Sequence, residues 1–225
     1  MKPVLFVGNL NYSSWSLRPF LALRWAGIDF DLQVIDLDQP GYGGDGIAEV
    51  LALTPTGKVP VLKVGDACIA DSLAISEWAH ETGTQPLYPA DPLARARVRS
   101  VVAEMHSGFA GVRRDLSMNI RRRCTAFGLP PETQREIRRL DQLFAGLCRE
   151  HASAGIHLFG ARTLADAFFT PVATRLRTYG IPLSPEAQAY CDTLLADAAF
   201  VSWEARILAE PARGFSRSGT DQLYT

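Results

Sequence analysis

The stretch Thr54-Pro55-Thr56-Gly57-Lys58-Val59-Pro60-Val61-Leu62, followed by Ala70-Asp71-Ser72-Leu73-Ala74-Ile75, limits what this chain can fold into more than any other segment. Val61–Val64 and Ala67–Ala70 are short apolar runs split by Gly65-Asp66, the pattern of a tight hairpin. Pro60 opens the first run, where a missing N–H does least harm to a strand. A cis Val59-Pro60 bond would leave the N–H and C=O of Val59 facing outward, ready to pair with an extended peptide. Asp71 and Ser72 then fall at the mouth of a helix, where a carboxylate, a hydroxyl and free backbone N–H groups converge. An acid for an ammonium, N–H groups for a carboxylate and a strand edge for a peptide describe a site for a small zwitterionic peptide.

The remaining pattern divides the chain in two. Residues 1–82 alternate strand and helix signals. Residues 4–7 form a buried strand, 16–26 a helix ended by Gly27, and Asp31–Ile35 a second strand. Residues 36–46 are a Gly-, Pro- and Asp-rich loop before a short helix at 47–53. With the hairpin and a helix over Ser72–Thr82, the order is βαβ then ββα, which fits a small mixed sheet of thioredoxin-like architecture. Three prolines, Pro86, Pro89 and Pro92, exclude a helix from the following stretch, so 83–92 is a linker. Beyond it the period is helical. Val98, Val101, Met105, Phe109 and Val112 mark one long helix, and Ile137, Leu140, Phe144 and Leu147 another begun by Pro130-Pro131. Further helices fall at 163–179 and 185–195, and Phe200, Trp203 and Ile207 mark the last; 215–225 is a polar tail, docked or loose.

Charge and cysteine content exclude several roles. The chain of 225 residues carries 23 basic against 24 acidic side chains, so nothing points to nucleic acid or to an anionic lipid surface. The cluster Arg121-Arg122-Arg123, with Arg113 and Arg114, reads as the solvated face or end of a helix. No apolar run approaches the ~20 residues that span a bilayer, and the first eight residues read as a strand rather than a leader. Cys68, Cys124, Cys148 and Cys191 lie far apart with no C-x-x-C pair. They read as reduced structural thiols in a cytoplasmic protein, with no metal site.

The hairpin and helix start resemble the glutathione-binding half of a glutathione transferase, whose Val-Pro turn and acid-Ser helix start hold the cysteinyl and γ-glutamyl parts of glutathione. Asn11-Tyr12-Ser13-Ser14-Trp15-Ser16-Leu17-Arg18 is similar to the Ser-Ser-x-Ser-x-Arg motif of serine-type members, especially the zeta and theta-like classes. Leu158-Phe159-Gly160 and Thr163-Leu164-Ala165-Asp166 resemble the capping box of the family's helical domain. The resemblance covers nearly the whole chain. It implies an α/β plus all-α protein: a thioredoxin-like domain over 1–82 that binds glutathione, and an all-α helical-bundle domain over 93–225 that forms the electrophile side. It further implies a homodimer that conjugates glutathione to a small electrophile in detoxification. Arg95, Arg97 and Arg99 would face Glu77 or Glu81 of a partner.

The resemblance also assigns roles to particular residues. Only a thiolate attacks, and bringing a thiol from about 8.5 to about 6.5 requires roughly 2.7 kcal/mol. A hydroxyl donating to the sulfur and a helix N-terminus both favour the charged form. Ser13 is the expected thiolate stabiliser with Ser14 beside it; the alternative is that either merely caps the helix, and Tyr12 is a rival donor. Trp15 stands where zeta-like members place a cysteine, which counts against their isomerase chemistry, and its bulk would narrow the pocket. Arg18 supports the turn or lies on the helix surface. Lys58, Val59, Pro60, Asp71 and Ser72 would bind glutathione. His106, Phe109 and Arg113 on the first long helix, with Arg175 and Tyr179 on the 163–179 helix, would line the electrophile pocket, an arginine there suiting an anionic co-substrate. The alternatives are a binding protein of the same fold without activity, and zeta-like isomerisation of a dienoic diacid held by Arg175 or Arg177.

Overall fold

The protein is described by a computed structural model covering residues 2–212. Strand β1 (Val4–Gly8) leads through helix α1 (Ser14–Trp25) to β2 (Asp31–Ile35), which pairs parallel with β1 in the register Val4 to Asp31. A parallel pair needs a crossover, and α1 supplies it. After α2 (Ala48–Leu51), the hairpin β3 (Val61–Val64) and β4 (Ala67–Ala70) adds antiparallel to the other edge of β1, giving the order β2-β1-β3-β4. Gly65 takes a φ of +61° in the two-residue turn, which a residue with a Cβ adopts rarely. Helix α3 (Ser72–Thr82) completes this thioredoxin-like part.

Both faces of the sheet are covered, as the strand alternation requires. Phe6, Ile35 and Val61 pack with Ile47 and Val50 on one face. Leu5, Val7 and Leu62 point to the other, against α1 and α3, where the main core begins. Helix α1 carries apolar side chains around most of its circumference and is buried almost all round, between the sheet, α3, α7 and α9.

The helical part comprises α4 (Pro92–Ser107), α5 (Ala110–Asp115), α6 (Pro131–Glu150), α7 (Leu164–Thr178), α8 (Pro185–Ala196) and α9 (Ala198–Ala209). Its core is continuous with that of the sheet: Phe20 of α1 lies 4.8 Å from Trp203 of α9, ring to ring, and the Trp203 indole N–H donates to the Leu10 carbonyl at 3.0 Å. Helix α7 starts at the expected box. The Thr163 N–H donates to Asp166 Oδ2 at 2.7 Å, and the Tyr190 hydroxyl donates to Asp166 Oδ1 at 2.9 Å. Arg162, in the place of the usual apolar staple, instead pairs with Asp197 and stacks on Trp25.

Several expectations differ from the structure. The single long helix is two, because Gly108 ends α4 and Phe109 takes a left-handed conformation with φ of +56°. The freed carbonyls of Met105 and His106 are taken by the Arg113 guanidinium, a cationic cap of the kind helix C-termini favour. Arg121, Arg122 and Arg123 are not helical. They lie in an irregular connection between α5 and α6, where Arg121 donates to the carbonyls of Ile207 and Glu210 at the end of α9. Arg97 and Arg99 pair with Glu150 and Glu77 of the same chain, so Glu77 is already engaged. All four cysteines are free, but Cys68 is exposed rather than packed. The tail at 215–225 lies outside the described residues.

The Trp203 contact joins the end of the helical part to the loop after β1, so its loss acts on the whole fold. Trp203→Ala should lower the free energy of urea unfolding by about 3–5 kcal/mol. Arg206→Ala, on the exposed face of the same helix, should change it by less than about 0.5 kcal/mol.

Candidate active site

A cleft of about 790 Å³ opens where the head of α1 meets the helical part. Ser13, Ser14 and Trp15 form one wall, Lys58 and Val59 a second, and Arg113, Arg175 and the connection through Phe127–Pro130 the third. The Gly-rich loop at 41–46 closes one side. The Val59-Pro60 bond is cis, and the strand pairing of β3 begins only at Val61, leaving Val59 outside the ladder.

The serines at the head of α1 owe their placement to the strand before them. The Gly8 N–H, at the end of β1, donates to Ser16 Oγ at 3.1 Å, and Ser16 Oγ lies 2.7 Å from Ser13 Oγ. Ser13 occupies the N-cap position yet makes no side-chain cap bond, so its hydroxyl is not consumed by the helix. Ser14 Oγ accepts from Arg175 Nη2 at 3.0 Å. Arg175 is 6% exposed and donates its other terminal nitrogen to the Leu116 carbonyl at 2.5 Å. Burial holds its pKa down to about 10; Tyr179 opposes this, and Arg113 adds a lesser lowering effect.

Trp15 is flanked by two cations. The Arg18 guanidinium lies 4.2 Å from its ring centre and that of Arg113 4.8 Å, a geometry that favours a positive charge over an aromatic face. Arg18 is 1% exposed, not on the helix surface, and its Nε and Nη1 are buried without a partner. Burial, then the charges of Arg113 and Arg175, push its pKa down to about 9. Sequence reasoning missed this burial. The signal was available: α1 is apolar around most of its circumference, so an arginine in its interior has little surface to reach.

Asp71 and Ser72 lie outside the cleft lining and connect to it through His106. Asp71 Oδ1 accepts the N–H groups of Leu73 and Ala74 at 2.7 and 3.3 Å, so the residue caps α3. It does so with φ at +80°, a conformation few residues other than glycine adopt. Its second oxygen, Oδ2, is 3.5 Å from His106 Nε2. Ser72 Oγ is buried with no partner. The Ser72 hydroxyl beside it and the Arg18 guanidinium are thus two buried polar groups left without a partner.

Other expected pocket residues are elsewhere. His106 stands behind Trp15, with its ring edge-on at 5.4 Å. Phe109 is 6% exposed in the core, turned inward by the break between α4 and α5. Tyr179 is 1% exposed and donates to the Ser117 carbonyl at 3.0 Å, because the α5–α6 connection folds over it. Pro60 is buried just before β3 and does not line the cleft. Arg177 is paired with Glu204. Among the described residues no group of three or more His, Cys, Asp or Glu side chains is placed to hold a metal ion, and no helix is long and apolar enough to cross a membrane.

Comparison with known proteins places the chain among relatives of one kind. Residues 12–82 match the glutathione S-transferase N-terminal domain family. The chain is 30% identical to a maleylacetoacetate isomerase of Rattus norvegicus over 82% of either protein. It is 39% identical to that of Mus musculus over 48% of this chain and 49% of the relative. A probable maleylacetoacetate isomerase of Drosophila melanogaster matches at 35%, again over 48% of the chain and 43% of the relative, so these matches span about half the relatives' length. In fold, it resembles a glutathione transferase homolog from Burkholderia solved with bound glutathione, at a TM-score of 0.72 and 21% identity, covering 93% of this chain and 100% of the other. A bacterial zeta-class maleyl pyruvate isomerase in its holo form resembles it at 0.68 and 21%, covering 94% and 100%.

His106 reports on the electrostatics that join the two ends of this site. Burial lowers its pKa below 6.5, Arg18 and Arg113 act in the same sense, and Asp71 opposes them. A histidine with a lowered folded pKa contributes stability that is present above the unfolded value of about 6.5 and lost as the pH falls through the folded value. A nuclear magnetic resonance titration should place His106 below 6.5. Asp71→Asn, which keeps a capping oxygen, should lower it further; a rise would contradict this account of the site.

Proposed function

The chain belongs to the glutathione transferase family, and on that premise we propose that it is an enzyme that ionises the thiol of glutathione with Ser13 for attack on a small anionic electrophile. One observation carries this reading: the Ser13 hydroxyl lines the cleft at the N-terminus of α1 and is not used as a cap. Donation from that hydroxyl favours a thiolate, and the positive end of α1 acts in the same direction. The residues at 1–82 would hold glutathione, with Val59 offering its backbone, Asp71 and Ser72 the γ-glutamyl end, and Lys58 its carboxylate-seeking ammonium. The helical part from 93 onward would take the co-substrate, and the cations Arg113 and Arg175, which have no carboxylate partner among the described residues, favour one that carries a negative charge. The sulfur's lone pair then forms the new S–C bond while the leaving group departs, and the thiol proton passes to solvent.

A second reading is a glutathione-dependent isomerisation, in which product and substrate have the same composition; the rat relative is named as an isomerase. The names of the relatives and the buried guanidinium of Arg175 favour it. Trp15 is a departure from the cysteine expected in that class. A conjugate would distinguish transfer from isomerisation directly by its mass. Retention on immobilised glutathione with no turnover of either kind would mark a binding protein. A cytoplasmic location is proposed from the four free cysteines.

Ser13→Ala should raise the pH at which bound glutathione ionises by about one to two pH units, because a hydrogen bond to a charged group contributes about 1.5–3 kcal/mol. Its affinity for glutathione should change little. The ultraviolet thiolate band, titrated against pH, reads this directly, and an unmoved band would sink the assignment of Ser13.

We propose a homodimer as well. Its support is the α4 face, where Leu93 is 73% exposed beside Arg95, which has no ion pair among the described residues. The pairing of Arg99 with Glu77 stays within one chain and contributes nothing across the axis. Sedimentation equilibrium at micromolar concentration should return about twice the 24.6 kDa of one chain, and a monomer there would end the proposal.

A further inference from the structure

Ser16 is fully buried and does not line the cleft, so it cannot touch a bound thiol, yet its hydroxyl is tied to Ser13, which does line it. Ser16 Oγ accepts from the Gly8 N–H at 3.1 Å and lies 2.7 Å from Ser13 Oγ. A backbone N–H only donates, so of these two partners only the Ser13 oxygen can take the Ser16 proton. The opposite direction, with Ser13 donating to Ser16, would strand the Ser16 proton in the interior without an acceptor, a cost that buried polar groups rarely bear. The chain of donors therefore runs from the end of β1 to Ser16 and from Ser16 to Ser13.

The arrangement alters an ordinary helix start. Ser16 is the third residue of α1, and a capping serine commonly accepts the backbone N–H at that position. Here the Ser16 backbone N–H goes to the Ser13 carbonyl at 3.2 Å, and the Ser13 side chain meets the Ser16 hydroxyl instead. With its oxygen already accepting, Ser13 has its own hydrogen left for a partner in the cleft.

Building on the proposed role of Ser13, we infer that Ser16 is a positioning residue that turns the Ser13 hydroxyl proton toward the glutathione sulfur and polarises it. A hydroxyl that accepts one hydrogen bond donates the next more strongly, by about 10–30% per bond. Its rotor is also fixed before the sulfur ionises, so no reorganisation accompanies the appearance of the charge. No proton is exchanged along the chain. Each oxygen keeps its own, both serines stay neutral, and the thiol proton leaves to solvent.

Glutathione labelled with carbon-13 at the cysteinyl β-carbon tests this on the full chain, because its resonance follows the bound thiol apart from the four cysteines of the protein. Ser16→Ala should raise the midpoint of the titration by about half a pH unit, roughly a threefold change in the ionisation constant. The shift is smaller than that of Ser13→Ala because the Ser13 hydroxyl is still present. In a Ser13→Ala background, Ser16→Ala should move the midpoint no further, although it should still lower the urea midpoint, since the Gly8 N–H loses its acceptor in either background. In a Ser14→Ala background the full shift should remain. Ser16→Cys, which fills the same space with a weak donor, should reproduce most of it. A midpoint unmoved by Ser16→Ala but moved by Ser13→Ala overturns the inference and spares the proposed activity. An equal shift in the Ser13→Ala background, the mark of a purely structural role, overturns it too. A midpoint that Ser13→Ala leaves unmoved removes the Ser13 assignment and this inference with it. Should Ser16→Ala fail to fold, Ser16→Cys carries the same comparison.

Discussion

A guanidinium inside a protein has to be solvated by whatever surrounds it, and the cost of leaving it unsolvated is several kcal/mol. Arg175 meets this requirement with the Leu116 carbonyl and the Ser14 hydroxyl. Those two oxygens belong to different parts of the chain, one at the end of α5 and the other at the first residue of α1. The ion therefore fixes three elements at once: α7, which carries it, the turn that ends α5, and the helix whose N-terminus faces the cleft. Ser14 is held by that charge, and Ser13 by the end of β1 through Ser16.

The same logic accounts for Trp15. Arg18 and Arg113 have no ion pair among the described residues, and an indole ring offers each a partner through its negative faces. Arg113 has a second task, since it closes the carbonyls left open where α4 ends. The aromatic ring thus couples a helix end in one part of the molecule to a buried ion in the other. His106 and Phe168 complete the surround, the first at the ring edge of Trp15 and the second 5.0 Å from the Arg18 guanidinium.

What could be read from the sequence follows the range of the forces involved. The hairpin, the turn into α3 and the capping box at Thr163 are set by residues within a few positions of one another, and their order in the chain identifies them. Helix ends set by distant side chains do not show themselves in this way. The apolar spacing runs unbroken through Phe109, so nothing local announces the end of α4; the arginine that caps it comes five residues after the break. Tyr179 and Phe109 sit at helical positions that would suit a pocket, but which way they face depends on the course of the α5–α6 connection, a segment without periodicity. Asn11 is a further case. Its side chain holds Asn119 and the Arg121 N–H across more than a hundred residues, a contact that no local pattern announces.

Trp203 gives the structure an order in time as well as in space. Its indole bonds to the carbonyl of Leu10, 193 residues earlier, in the loop that leads to Ser13. The strand, hairpin and first helices are synthesised long before that contact can exist. During translation the turn that presents the serines lacks the residue that closes over it, and α1 lacks the apolar wall on which Phe20 rests. The turn before Ser13 is accordingly completed only when α9 docks, although its own residues are made long before that helix.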